Sequence, residues 1–199
     1  MNDLLTGLGI SAEIQALFCI SADLRFSYGD DFEHYGEGFH KVPTTANLWM
    51  AGSDTAREIV ITHSAMEAIA FLSVNRRKYR YPAQLAFIAV GNRLHPDQIT
   101  YIRQRFPKRR FTLAFGNDLI GRITDVKIAA GILDKPLRIY HVSHRTLVQN
   151  IDRMIIFDDE KLSLSAFMKA FGFRPPVRTR KSLKALTYLD QLKNDTLPQ

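Results

Sequence analysis

The chain has 199 residues, of which 46% are hydrophobic and 24% charged, the composition of an ordinary globular protein with one principal core. Its 27 Lys and Arg against 20 Asp and Glu leave a formal charge of +7, a balance that suits a phosphate-rich partner and says nothing about fold. No apolar run reaches the roughly 18 residues that span a bilayer, the opening MNDLLTGLGI lacks the positive start of a secretory signal, and the single Cys19 has no second thiol to pair with; the expectation is a reducing, cytoplasmic location without membrane contact.

Residues 1–57 read as a helix near Ser11 to Phe18 followed by a β-rich extension. The stretches DLRFSYGDDFEHYGEGFHKV and ANLWMAG alternate with a period of two and are rich in aromatics and Gly, which predicts hairpin-like strands against the edge of a core. The tetrapeptide from Tyr28 to Asp31, YGDD, is reminiscent of a metal-binding turn in some polymerase palms. The chain is too short for such a palm and offers no second acidic motif, so the match is read as coincidence.

Residues 58–142 alternate strand and helix periods in a regular order. IVIT is followed by SAMEAIAFLSVNRR, LAFIAV by PDQITYIRQRF, FTLAF by GRITDVKIAAGI, and LRIYHV closes the series. Short apolar strands separated by single helices predict an α/β fold, here a parallel four-stranded core sheet flanked by helices in the Rossmann-like manner. Ser64 and Glu67 have the spacing of a capping box, Pro96 suits a first helical position, and Gly131 is placed to close the third helix.

Residues 143–199 read as a helical extension: KLSLSAFMKAFGF is a helix, RPPVRT an extended break, and KSLKALTYLDQLKN a last amphipathic helix with Leu183, Leu186, Leu189 and Leu192 on one face. That face fits either the chain's own core or a protein partner. FDDE, Phe157 to Glu160, reads as a solvated turn.

In an open parallel sheet, ligands bind beyond the carboxyl ends of the strands. Those ends fall at His63, at Gly91 and Asn92, and at Gly116, Asn117 and Asp118. The segments HSAMEA (63–68), VGNRLHPDQITYI (90–102) and GNDLIGR (116–122) together resemble the Toprim domain of bacterial primases, topoisomerases and related nucleases, and especially Toprim-like proteins of bacterial mobile elements. The resemblance covers roughly residues 58–142, with a weaker echo in GEGFHK and NLWMAG.

The resemblance implies a Toprim-like fold with a metal-dependent centre built from a Glu that ends the first strand and an Asp-x-Asp pair that ends the third. This chain departs from that pattern: His63 stands at the Glu position and Gly116 at the first Asp. Asp118 remains, Glu67 matches a family Asp on the first helix, Gly121 keeps the turn glycine and Arg122 the basic residue that follows it. Mg²⁺ prefers hard oxygen ligands in octahedral array, a glycine supplies no side chain, and imidazole suits softer ions. Asp118 is left as a weak candidate metal ligand, no cofactor is expected, and any Mg²⁺ or Mn²⁺ affinity should be low. The implied function is a catalytically degenerate, nucleic-acid-associated accessory factor in DNA processing or mobile-element maintenance.

Two other readings stay open. An active Mg- or Mn-dependent primase or nuclease with a remodelled centre needs Asp118, Glu67 and a further acid such as Asp158 or Asp159 to converge while His63 moves the proton. A binder of small phosphorylated ligands would use the strand-end loops and Arg122. Bland roles compete at each position, with Asp118 as a helix cap and Glu67 as the partner of Ser64.

The basic clusters NRRKYRY, RQRFPKRR and RPPVRTRKSLK are the main sign of a polyanionic partner, with DNA favoured. Arg76, Arg77, Lys78 and Arg80 end the first core helix, and Lys108, Arg109 and Arg110 precede the third strand. With Arg122 they form the candidate nucleic-acid-binding set, and Tyr79 and Tyr81 are available to stack on bases. Both main clusters are expected at the end of the sheet opposite His63 and Asp118.

Overall fold

The computed structural model describes residues 1–151 and 153–196. At its centre lies a five-stranded mixed sheet in the order β11 (Val177–Thr179), β7 (Arg110–Leu113), β5 (Glu58–Thr62), β6 (Leu85–Ala89) and β4 (Trp49–Gly52). β4 runs antiparallel to β6, and the other neighbours are parallel.

The unbroken apolar character of β5 and β6 follows from burial on both faces. Val60 joins a core shared with α1 (Asp3–Gly7), α2 (Ala12–Leu17), α3 (Ala65–Asn75) and α7 (Tyr188–Thr196). Ile59 and Ile61 join the opposite core, with α4 (Pro96–Arg105), α5 (Leu119–Ile132) and α6 (Leu164–Phe171). The result is an α/β sandwich of three layers, compatible with a Rossmann-like kind of fold. Among the described residues no helix is long and apolar enough to cross a membrane.

Of the N-terminal extension, NLWMAG joins the core sheet as β4, and the other strands form a separate antiparallel sheet of β1 (Arg25–Tyr28), β2 (Asp31–Gly36) and β3 (Phe39–Lys41). YGDD is the hairpin turn between β1 and β2: Tyr28 pairs with Asp31, and Gly29 takes the positive φ of 70° that a tight turn requires. One carboxylate fastens this sheet to the core. Glu33, wholly buried, accepts the N–H groups of Ala65 at 2.7 Å and Met66 at 3.0 Å and the Tyr28 hydroxyl at 2.7 Å, with His40 Nε2 at 2.9 Å. It thereby caps α3 from a different part of the chain.

Three expectations are corrected. The core sheet is mixed and five-stranded, and LRIYHV is not its fourth strand: as β8 (Arg138–Val142) it heads a separate antiparallel sheet with β9 (Arg145–Asn150) and β10 (Arg153–Asp158). The chain reverses through Ser143 and His144, at φ 50° and 62°, a two-residue turn with both residues left-handed. The C-terminal extension is consequently not helical throughout, since it carries β9, β10 and β11. Its last helix begins only at Tyr188: Leu189 and Leu192 are buried, whereas Leu183 is 92% exposed.

The helix signals are also refined. Ser64 Oγ accepts the Glu67 N–H at 3.1 Å, but the Glu67 side chain goes elsewhere, so the capping box is half formed. A fuller cap stands on α4, where the His95 N–H donates to Gln98 Oε1 at 2.8 Å and His95 Nδ1 accepts the Asp97 N–H at 3.4 Å. Gly131 lies inside α5 rather than beyond it, and a Cβ there would meet Ile99 Cγ2 at 2.4 Å. Glycine here lets α4 approach α5 closely.

Candidate functional site

The carboxyl ends of β5, β6 and β7 open into a pocket of about 270 Å³. His63, Asn92, Gly116 and Asp118 line it together, as the strand order predicts, beneath an apolar lip that includes Ile120 and Leu186. Asp118 is the single carboxylate among the lining residues.

Its geometry is that of a cap. Asp118 Oδ1 accepts the Gly121 N–H at 2.7 Å, and the Asp118 carbonyl accepts the Arg122 N–H at 3.1 Å. Gly121 must be glycine, because a Cβ would stand 2.1 Å from the Gly116 carbonyl oxygen. Position 116 has little room as well, with Asp118 Oδ1 at 3.2 Å from a Cβ built there. The loop is thus folded tightly on itself.

Glu67 is elsewhere in chemical terms. Its carboxylate is buried and accepts the N–H groups of Tyr188 at 3.0 Å and Leu189 at 3.1 Å, at the start of α7. Arg122 also turns away, its guanidinium donating to the carbonyl oxygens of Asp118 at 3.2 Å and Glu160 at 3.1 Å. Asp158 pairs with Lys161 at 2.7 Å. Asp159 accepts the Thr146 hydroxyl at 2.7 Å and has His141 Nε2 at 2.7 Å. Among the described residues no three His, Cys, Asp or Glu side chains converge.

The segment between β11 and α7 lies against the pocket. The Asn117 N–H donates to the Leu186 carbonyl at 3.0 Å, and Leu186 and Thr187 line the cavity. Lys181 reaches under the same loop: its ammonium donates to the carbonyls of Phe115 at 3.2 Å and Gly116 at 3.0 Å and lies 2.6 Å from Asp125 Oδ2. Asp125 is buried on α5, and its Oδ1 has no partner among the described residues. Burial raises its carboxyl to about 6, although the Lys181 charge and hydrogen bond pull the other way.

Sequence reasoning did not find Glu33, Asp125 or Lys181. Glu33 had one usable signal, its alternation with the inward-facing Tyr35. Asp125 had a weaker one, two turns beyond Asp118 on an apolar helix. Lys181 was hidden in a basic run.

The cations gather at the other end of the sheet. Arg76 to Arg80 follow α3, Lys108 and Arg109 precede β7, and Arg110 begins it. All of these stand at the edge where β5, β6 and β7 start. Arg77, Lys78, Arg80, Lys108 and Arg110 are exposed, as is Tyr81. Arg76 is engaged with Glu13 at 2.6 Å and with the Tyr79 carbonyl at 3.0 Å. Glu58, the acid at this edge, accepts from Arg178 at 2.7 Å, Thr112 at 2.5 Å and Tyr79 at 3.3 Å. Both predicted clusters thus stand at one end of the core sheet, and Arg122 stands at the other. No protein-family model, characterised protein or solved structure matches this chain.

Proposed function

We propose that this protein is a Toprim-like factor without metal-dependent catalysis, associated with nucleic acid and serving DNA processing or mobile-element maintenance. The observation that carries the reading is the use made of the two acids at family-like positions. Glu67 caps α7 and Asp118 caps α5, so neither is held free beside the other, and Lys181 brings the nearest cation to the loop. Phosphoryl transfer by metal ions depends on charge stabilisation that such a centre does not supply.

Nucleic acid is the partner that best suits the exposed cations along the edge where the core strands begin, given a chain charge of +7. DNA contact there would neutralise phosphates without reading sequence. The pocket's acid and the inward-folded loop disfavour a small phosphate ligand, since Arg122 points away from it.

The test measures binding of labelled duplex DNA as a function of salt beside nuclease and primer-synthesis assays with Mg²⁺ and Mn²⁺. Salt-dependent binding without turnover is expected. Divalent-dependent turnover that Asp118→Ala abolishes would overturn the non-catalytic reading, and absence of binding at low salt would overturn the nucleic-acid one.

A further inference from the structure

The antiparallel sheet of β8, β9 and β10 has one face packed and one open. Val148 is wholly buried, and with Ile139 and Phe157 it packs into the core beneath α5 and α6. The pairing register puts every second residue on the opposite face in three cross-strand rows: Arg138 with Gln149 and Met154, Tyr140 with Leu147 and Ile156, and Val142 with Arg145 and Asp158. Tyr140, Val142, Met154 and Ile156 are between 47% and 58% exposed. An apolar patch of this kind on an open sheet marks a binding surface.

We infer that this face is a platform for single-stranded nucleic acid, with Tyr140 stacking on a base and Arg138 and Arg145 receiving the flanking phosphates. The inference rests on the nucleic-acid reading above and assigns it a second surface. Charge selects the occupant. Arg138 and Arg145 are exposed and make no ion pair among the described residues, while the one acid on the face, Asp158, is paired with Lys161 at 2.7 Å. Apposing a second copy would bring four arginines into one desolvated layer, a costly arrangement. A polyanion gains from the same groups, and an aromatic ring flanked by Arg on a sheet face offers bases a stacking surface tolerant of sequence.

Position agrees. α5 carries the chain back toward the edge where β5 and β7 start, and Arg138 opens β8 a short loop later. β8 thus starts toward the end of the core sheet that bears the exposed cations.

The experiment compares the full chain with Tyr140→Ala, Tyr140→Phe and Arg138→Ala. Fluorescence anisotropy is recorded with an oligothymidylate of about 20 nucleotides and with a duplex of similar length, and sedimentation and thermal unfolding are measured in parallel. Tyr140→Ala should weaken single-strand binding about tenfold and Tyr140→Phe should restore it, while duplex affinity stays unchanged. Arg138→Ala should lower the salt slope for the single strand by about one. Wild-type affinity in a folded Tyr140→Ala protein overturns the platform while leaving duplex association standing. Failure of the wild type to bind either nucleic acid overturns both readings. A wild-type dimer that Tyr140→Ala dissociates overturns the platform by making the face a subunit interface.

Discussion

The Glu67 carboxylate accepts the backbone N–H of Tyr188 at 3.0 Å, although 121 residues separate them. An acid on the first turn of α3 thereby sets where α7 begins, with Thr187 Oγ1 accepting the Asp190 N–H at 3.1 Å as the local cap. The seven residues before Tyr188 cannot join the helix without breaking this arrangement, which is why the predicted leucine face is only half buried.

Removing that carboxylate strands two buried donors and the end of a helix dipole. Glu67→Ala should cost about 3 kcal/mol and Glu67→Gln, which retains one acceptor, about half of that. Urea unfolding measures the cost. Limited tryptic cleavage at Lys181 and Lys184 should quicken in Glu67→Ala before global unfolding, because the contact that fails is the one tying α7 to α3. Equal cleavage rates in variant and wild type would count against this assignment.

Asp125 and Lys181 make a second distant tie, and its response to pH has a definite sign. Burial raises the Asp125 carboxyl from 3.8 to about 6, against the opposing effect of Lys181. Between those values the folded chain holds a proton that the unfolded chain has released, so this group makes stability fall as pH rises through the window and leaves a penalty above it. The rise from 3.8 to about 6 corresponds to about 3 kcal/mol. Relative to Asp125→Asn, which cannot titrate, the wild type should gain about that much between roughly pH 7 and pH 4. A difference in unfolding free energy that stays constant across the range would refute the assignment.

The parts of the fold that depend on periodicity were legible in the sequence. The buried runs around Val60 and Phe87 and the caps at Ser64 and Pro96 located β5, β6, α3 and α4, and strand order alone brought His63, Gly116 and Asp118 to one pocket. What escaped was set by tertiary contact or unusual turn chemistry. LRIYHV has the pattern of a core strand, but β11 takes the place beside β7, and Ser143 and His144 in left-handed conformation fold LRIYHV back on β9. Neither residue carries the Asn-Gly signature of such a turn. Glu67 looked like the partner of Ser64 because helix spacing is local information, whereas its partners at Tyr188 and Leu189 are not.

Gly131 tests the packing of α4 on α5, with two effects opposed. Alanine is the better helix former by about 1 kcal/mol, but its Cβ would stand 2.4 Å from Ile99 Cγ2 and 3.3 Å from Ile99 Cβ. Over-packing of this kind costs about 1–3 kcal/mol, so Gly131→Ala should destabilise by about 1 kcal/mol net. Adding Ile99→Ala removes the obstruction. The double variant should then be more stable than the sum of the two single changes predicts, as read from a denaturation cycle.

The separation of Arg122 from the other cations gives the functional reading a control inside the same protein. Arg80 and Arg110 are exposed at the edge where the core strands begin, whereas Arg122 is held at the opposite end by the carbonyls of Asp118 and Glu160. Each phosphate contact contributes about one unit to the slope of log affinity against log salt. Arg80→Ala and Arg110→Ala should each reduce that slope for duplex DNA by about one, and together by about two, with little change in fold because neither side chain is buried. Arg122→Ala should leave the slope unchanged and lower thermal stability slightly through loss of its two carbonyl contacts. If Arg122→Ala alone flattens the salt dependence, the DNA lies across the strand-end pocket and the edge cations serve only to favour the helix ends they follow.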